Sequence, residues 1–260
     1  MIRALWTAAT GMGTQQINLD VISNNLANIN TIGFKKARAE FQDLLYQETK
    51  KSGSETASGS QIPVGVEVGM GAKITATKKM YSQGDFKTTD SPYDVVIEGD
   101  GFFQLDNNGT TTYSRAGSFT MNKDGVLCNP EGLKLVPNIT IPIETTNFQV
   151  LPDGSWQARD KNSAVLSSGR MELARFVNPA GLKSLGRNLY GVTDSSGTAV
   201  TGNPGETGYG TLTQNAVEMS NVNVVDEMVQ MIMGQRAYEI NTKAIQTADQ
   251  ILSLVANLKR

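Results

Sequence analysis

The residues best placed to do chemistry are three carboxylates in one short stretch. Glu98 and Asp100 alternate along an extended segment, and Asp106 follows nearby. Two carboxylates a few ångströms apart can act as acid and base on a glycosidic bond. Solvated charge on a strand edge is the plainer reading of the same spacing. The chain has no histidine and a single cysteine, Cys128. A zinc site of the usual cysteine and histidine type therefore cannot be built, and no serine or cysteine nucleophile can have a histidine base. Gly99-Asp100-Gly101 follows a strand-like run, but Gln104 stands where a dinucleotide fingerprint needs its third glycine and no helix pattern follows, so the segment reads as a turn. Cys128 reads as a small strand residue beside the turn Asn129-Pro130-Glu131-Gly132. The expectation is a protein without catalytic residues, cofactor or metal.

Composition narrows the class further. The 260 residues are 39% hydrophobic and 18% charged with a formal net charge of -2, ordinary for a water-soluble chain with one or two cores. No basic surface for nucleic acid is expected, and no run of about 20 apolar residues is present to span a bilayer. Arg3, Gln15, Gln16, Asn18 and Asp20 break up the apolar residues near the start, so no cleavable secretory signal is expected there.

With no active site to position, the elements at the two ends become the informative part. In residues 223–260, Ala237, Ile240, Ala244, Ala248, Ile251, Val255 and Leu258 alternate steps of three and four, the spacing of a coiled-coil seam. A second row, Met231, Tyr238, Ile245 and Leu252, recurs every seventh position and widens the apolar face beyond one partner helix. Asn223 is placed to cap this helix, Asp226 and Glu227 put negative charge in its first turn, and Lys259 with Arg260 put positive charge in its last. Such a helix is roughly 50 Å long, too long for one small domain to bury its stripe. At the other end Leu5, Ala9, Met12, Gln16, Leu19, Ile22, Leu26 and Ile29 follow the same spacing. Gly11 and Gly13 weaken this helix by about 1 kcal/mol each relative to alanine, so it needs a partner, and the opposite end is the natural one.

Between the ends, strand formers dominate. The runs Val95-Val96-Ile97, Phe102-Phe103-Gln104-Leu105, Ser118-Phe119-Thr120-Met121, Ile139-Thr140-Ile141-Pro142-Ile143 and Leu173-Ala174-Arg175-Phe176-Val177 are short and divided by glycine- and asparagine-rich turns. Trp156 and the Phe102-Phe103 pair read as packing residues rather than a ligand platform. Ahead of this region, Lys50-Lys51-Ser52-Gly53-Ser54 and the residues to Ser60 read as linker or loop. Val64-Gly65-Val66-Glu67-Val68-Gly69-Met70-Gly71 suits either an extended arm or hairpin lying on another surface, or a flexible loop. The expected fold is α+β: N- and C-terminal helices pairing as an α-helical coiled coil, with a central antiparallel β-rich domain. The boundaries are 1–32 for the first helix, 33–75 for an extended connection carrying the arm, 76–215 for the β domain and 216–260 for the last helix.

Two motifs carry a resemblance. Ser23-Asn24-Asn25-Leu26-Ala27-Asn28-Ile29-Asn30-Thr31-Ile32-Gly33-Phe34-Lys35 resembles the N-terminal signature of bacterial flagellar rod and hook proteins. Ser220-Asn221-Val222-Asn223-Val224-Val225, continued by Gln235-Arg236-Ala237-Tyr238-Glu239-Ile240-Asn241, resembles the family's C-terminal end. Phe41-Gln42-Asp43-Leu44-Leu45-Tyr46-Gln47 and the overall length are most similar to the distal-rod members, with a proximal rod or hook subunit as the alternative within the family. The resemblance covers both ends closely and the centre loosely.

That resemblance implies a structural subunit exported through the flagellar type III apparatus, polymerised as a helical homopolymer into a straight hollow shaft that crosses the periplasm. Its implied neighbours are proximal rod proteins, the hook or hook-rod junction, and the L and P ring bushing. No nucleic acid and no membrane insertion are implied. The assembly face so implied comprises Leu5, Met12, Leu19, Ile22, Asn24, Asn25, Leu26, Asn28 and Phe34 at one end, and Met231, Tyr238, Ile240, Ile245, Ile251, Leu252, Val255 and Leu258 at the other. Asn24, Asn25 and Asn28 also read as helix-ending asparagines. A rod-stiffening arm is implied over 47–71, through Gln47, Ser52, Val64, Val66, Val68 and Gly71. Readings from other classes, a glycan hydrolase or a secreted adhesin, would need a cleft of perturbed carboxylates or terminal helices unrelated to assembly.

Overall fold

The computed structural model of the chain describes residues 2–53 and 63–258. Helix α1 spans Ile2–Ala27 and helix α2 spans Val224–Leu258, and every strand lies between them. In chain order the strands are β1 (Ala37–Asp43), β2 (Tyr46–Lys50), β3 (Val66–Gly69), β4 (Ala72–Lys79), β5 (Phe86–Thr88), β6 (Val95–Glu98) and β7 (Phe103–Asn107). They continue as β8 (Thr110–Ser114), β9 (Thr120–Met121), β10 (Leu127–Cys128), β11 (Lys134–Val136), β12 (Asn147–Val150), β13 (Ser155–Arg159) and β14 (Val165–Arg170). The last are β15 (Leu173–Arg175), β16 (Lys183–Gly186), β17 (Leu189–Gly191), β18 (Val200–Gly202), β19 (Thr211–Gln214) and β20 (Ala216–Glu218). The class is α+β.

Two compact units share the chain. The first holds Met1–Leu26, Ala37–Lys78 and Asn223–Arg260; the second holds Ala27–Lys36 and Lys79–Val222. The chain thus leaves the first unit at the end of α1, returns for the ribbon, and returns again for α2.

In the first unit, α2 starts where the sequence places a cap: Asn223 Oδ1 accepts the backbone N–H groups of Val225 (3.0 Å) and Asp226 (3.4 Å). Lys259 and Arg260 lie outside the described residues, as does the serine- and glycine-rich stretch 54–60. On either side of that stretch the chain forms a two-stranded ribbon. β1 pairs with β4, and β2 runs antiparallel to β3 with Gln47 opposite Val68 and Lys50 opposite Val66. Between the two pairs, Leu44 N–H donates to Gly71 O (2.8 Å) and Met70 N–H to Leu45 O (3.2 Å), which joins them into one continuous ladder. At about 3.3 Å per residue the ribbon is roughly 40 Å long.

The second unit is antiparallel throughout its named pairs. Its largest sheet has the order β16-β17-β8-β7-β11-β10-β9, accompanied by β12-β13-β14 and the pairs β15-β18, β19-β6 and β20-β5. Alternation along β7 sends neighbouring phenylalanines to opposite sides. Phe103 joins the main core with Val95, Ile97, Leu105, Phe119, Leu127, Leu135, Phe148 and Trp156. Phe102 joins a smaller aromatic core with Tyr113, Phe176, Leu182 and Tyr190. The rings there meet edge to face, for example Tyr113 on Phe176 at 4.8 Å between centroids. The run 139–143 forms only an isolated bridge, Thr140 to Val126, flanked by Leu127 N–H to Ile139 O (3.0 Å) and Ile141 N–H to Gly125 O (2.7 Å). Ile139 and Ile141 are nonetheless buried in the main core.

Candidate assembly interface

The terminal helices lie side by side in the first unit, and side-chain contacts fix their direction. Asn25 Nδ2 donates to Glu227 Oε2 at 3.2 Å, and Thr242 Oγ1 approaches Met12 Sδ at 3.5 Å. A methyl group on Gly234 would stand 3.0 Å from Leu19 Cδ2, and one on Gly11 would stand 3.0 Å from Asn241 Nδ2. Partners on α2 descend as positions on α1 ascend, so the helices are antiparallel. The glycines permit this approach, which accounts for Gly11 in an otherwise weak helix; Gly13 has open space around it.

Two faces of α2 now separate. Glu227, Met231, Gly234, Asn241, Ile245, Ala248 and Leu252 are buried or half-buried and repeat at steps of three and four, save for a step of seven across Tyr238. Tyr238 shares their row but is more exposed. The other row is split: Ala248 is buried and Ala237 half-buried, while Ala244 is exposed and Ile240 and Ile251 are 66% and 48% exposed. Val225, Met228, Val229, Ile232, Met233 and Leu254 are exposed apolar residues on the same helix, as are Trp6 and Ile17 on α1. The side chains of Val255 and Leu258 lie outside the described residues. On α1, Ile22 and Asn25 are buried, Leu5, Met12, Leu19 and Leu26 half-buried, and Ala9, Gln16 and Asn24 exposed.

The asparagine signature divides its work. Asn25 presents its carboxamide to the backbone of Ala37, donating to its carbonyl at 2.8 Å and accepting its N–H at 2.9 Å, which pins the start of β1 to the end of α1. Asn28 receives the Thr31 hydroxyl at 3.1 Å and, through its carbonyl, the Thr31 N–H at 3.2 Å, shaping the turn after the helix. The ribbon of the arm is exposed along both strands. Gln47, Ser52, Val64, Val66 and Val68 all face solvent, and Val64 is 75% exposed. Its base is tightly seated: Gly71 has φ +111°, and a side chain there would collide with Thr10 Oγ1.

The second unit holds a feature not legible in spacing. Lys35, the last residue of the N-terminal signature, donates to Glu218 Oε1 at 2.6 Å and to Ser82 O at 2.8 Å. Arg115 Nε donates to the other oxygen, Oε2, at 2.6 Å, while its Nη atoms donate to the carbonyls of Ile97, Gly99 and Gly101. The side chains of Lys35 and Glu218 are each 1% exposed. Burial alone raises the Glu218 carboxyl, but Arg115 and Lys35 outweigh it and hold the group below its ordinary range. Burial also pulls the Lys35 ammonium below its usual value, opposed by Glu218. Around this cluster, Gly33 N–H donates to Glu218 O (2.8 Å), Lys36 N–H to Asn221 Oδ1 (2.8 Å) and Asn188 Nδ2 to Ile32 O (3.0 Å). Phe34 is buried, with Lys79 Nζ 5.5 Å from its ring centroid. The segment 27–36 is therefore built into the β unit. Glu218 reads as an ordinary strand residue in sequence; the one available signal was a carboxylate in the apolar run Ala216-Val217-Glu218.

The carboxylates of the stretch considered first are placed as surface or turn groups. Glu98 and Asp100 are exposed, and Asp106 Oδ1 accepts the Gly109 N–H at 2.8 Å in the β7-β8 turn. Among the described residues no helix is long and apolar enough to cross a membrane.

Three family patterns match the chain in order. "Flagella basal body rod protein" matches residues 5–35, "Flagellar hook protein FlgE/F/G D1 domain" matches 96–158, and "Flagellar basal body rod FlgEFG protein C-terminal" matches 213–258. Among similar proteins, the flagellar basal-body rod protein FlgG of Borreliella burgdorferi is 46% identical over 100% of both chains. The FlgG protein of Caulobacter vibrioides is 44% identical over 99% of this chain and 100% of its own. That of Bacillus subtilis is 36% identical over 100% of both.

Proposed function

The chain belongs to the flagellar basal-body rod protein family, a family of structural rather than catalytic proteins, and we propose that it builds the distal rod by polymerising into a straight hollow shaft. One observation carries this reading. α2 keeps Ile232, Met233, Ile240, Ile251 and Leu254 exposed beside the residues that meet α1, and exposed apolar surface of this kind marks an interface. Neighbouring copies cover that surface, and because the contact is head-to-tail and does not close, it propagates as a filament.

Within each subunit the two helices wind as a coiled coil, supported by the alternating three and four steps of the half-buried residues on α2. The assembly face comprises the exposed residues Ile240 and Ile251, continued by Val255 and Leu258. The paired residues Leu5, Met12, Leu19, Ile22, Met231, Ile245 and Leu252 hold the helices in register. The ribbon is the stiffening arm: its exposed valines lie along a neighbour and oppose bending of the shaft. In this role the shaft carries motor torque to the hook, passes exported subunits through its bore, joins proximal rod proteins at one end and the hook or hook-rod junction at the other, and turns inside the L and P ring bushing. Export by the flagellar type III apparatus agrees with an α1 that is held mainly by its partner helix.

Negative-stain microscopy of the concentrated protein tests the reading. Straight tubes are expected. Curved tubes would favour the hook-type alternative, and dispersed monomers at all concentrations would overturn polymerisation.

A further inference from the structure

The buried charge cluster of the β unit is one negative charge short. Two cations, Lys35 and Arg115, share one carboxylate, Glu218, and all three side chains are at most 5% exposed. A lysine ammonium has three donors and a guanidinium five. Lys35 Nζ makes two hydrogen bonds and Arg115 makes four, so each cation retains a donor.

Lys35 and Arg115 are among the residues that line a cavity of about 230 Å³. Arg175 adds a third positive charge to its lining, and Tyr81, Phe102 and Phe176 supply aromatic wall. The Tyr81 hydroxyl is buried and has no hydrogen-bond partner among the described residues. The lining thus includes side chains with unused donors. Its one carboxylate, Asp100, is exposed and forms no ion pair among the described residues. What this cavity lacks is an anionic acceptor with a small apolar stem.

We propose that the cavity is a carboxylate-binding site, in which the ligand's oxygens take the free donors of Lys35 and Arg115 and its stem lies against Phe102 and Phe176. The charge balance selects an anion, and the aromatic wall selects one on a carbon stem over an inorganic ion. The carboxylate has two possible sources, a free small acid or an acidic side chain of a neighbouring copy, and the chemistry is the same for both.

Calorimetric titration of the full-length monomer with succinate, alongside neutral 1,4-butanediol, tests the site. Saturable succinate binding with a Kd at or below about 1 mM is expected, with none for the diol. Arg175→Glu sits at an exposed position and should weaken binding at least about tenfold while leaving the thermal unfolding curve in place. Val177→Trp is a second probe, since Val177 lines the mouth and is 89% exposed; it should block entry without disturbing the core. No saturable succinate binding, or binding indifferent to both substitutions, overturns the proposal. Repeating the titration on assembled tubes identifies the source. Loss of binding there assigns the site to a neighbour's side chain, and retention assigns it to a free acid. This last arm rests on the polymer reading; the monomer arm does not, so failure of either is separable.

Discussion

At the scale of single residues, Glu218 decides how the two distant ends of the β unit are held. Replacing it with glutamine leaves Lys35 and Arg115 buried without a counter-charge and should cost about 3–5 kcal/mol in urea unfolding at neutral pH. The pH dependence has a definite sign. A carboxyl held below its ordinary range when folded binds fewer protons than when unfolded, so its stabilisation is complete above the ordinary carboxyl value of 4.5 and is lost as pH falls through the lowered folded value. Glu218→Gln should therefore flatten the acid limb of the stability curve; an unchanged limb would show that the cluster is not the group titrating. Gly71 is the second decisive residue. Its positive φ and its contact with Thr10 make Gly71→Ala destabilising on the order of 1–3 kcal/mol, read as faster amide exchange at the base of the ribbon, Leu44 and Met70. Neither residue announces itself in sequence. Glu218 acquires its partners from positions 35 and 115, and no local pattern reports a contact made across so much chain.

At the scale of elements, the two helices are legible because apolar spacing of three and four needs only the helix period. Which row of α2 meets α1 is not, because the meeting row includes Glu227, Gly234 and Asn241, residues that a count of apolar positions passes over. Of the more uniformly apolar row, Ile240, Ala244 and Ile251 stay exposed while Ala248 is buried. Turn residues divide short strands such as β9 and β10, whereas the strand formers of 139–143 make only a single bridge. Gly13 gives an element-scale prediction. Apart from its own stretch of helix, no described residue lies within 4 Å of a methyl group placed on it, so Gly13→Ala should raise the stability of the monomer's α1 by about 0.5–1 kcal/mol, seen as higher helix content on thermal scans. Gly11→Ala should not, because Asn241 occupies the space.

At the scale of the whole molecule, the exposed ribbon and the exposed apolar residues of α2 have one explanation in the proposed assembly, in which other copies complete their burial. Removing residues 46–69 and joining Leu45 to Met70, already hydrogen-bonded neighbours, through an Asn-Gly turn should leave the monomer folded and yield curved tubes by microscopy. Straight tubes from that variant would remove the arm from the account of stiffness. The most direct measurement concerns the exposed apolar residues of α2. In the double variant Ile240→Asp and Ile251→Asp, both side chains are already solvent-exposed, so the monomer's helix content and unfolding midpoint should match wild type while sedimentation at high concentration shows no polymer. Tubes forming as readily as in wild type would contradict the claim that these residues hold the subunits together.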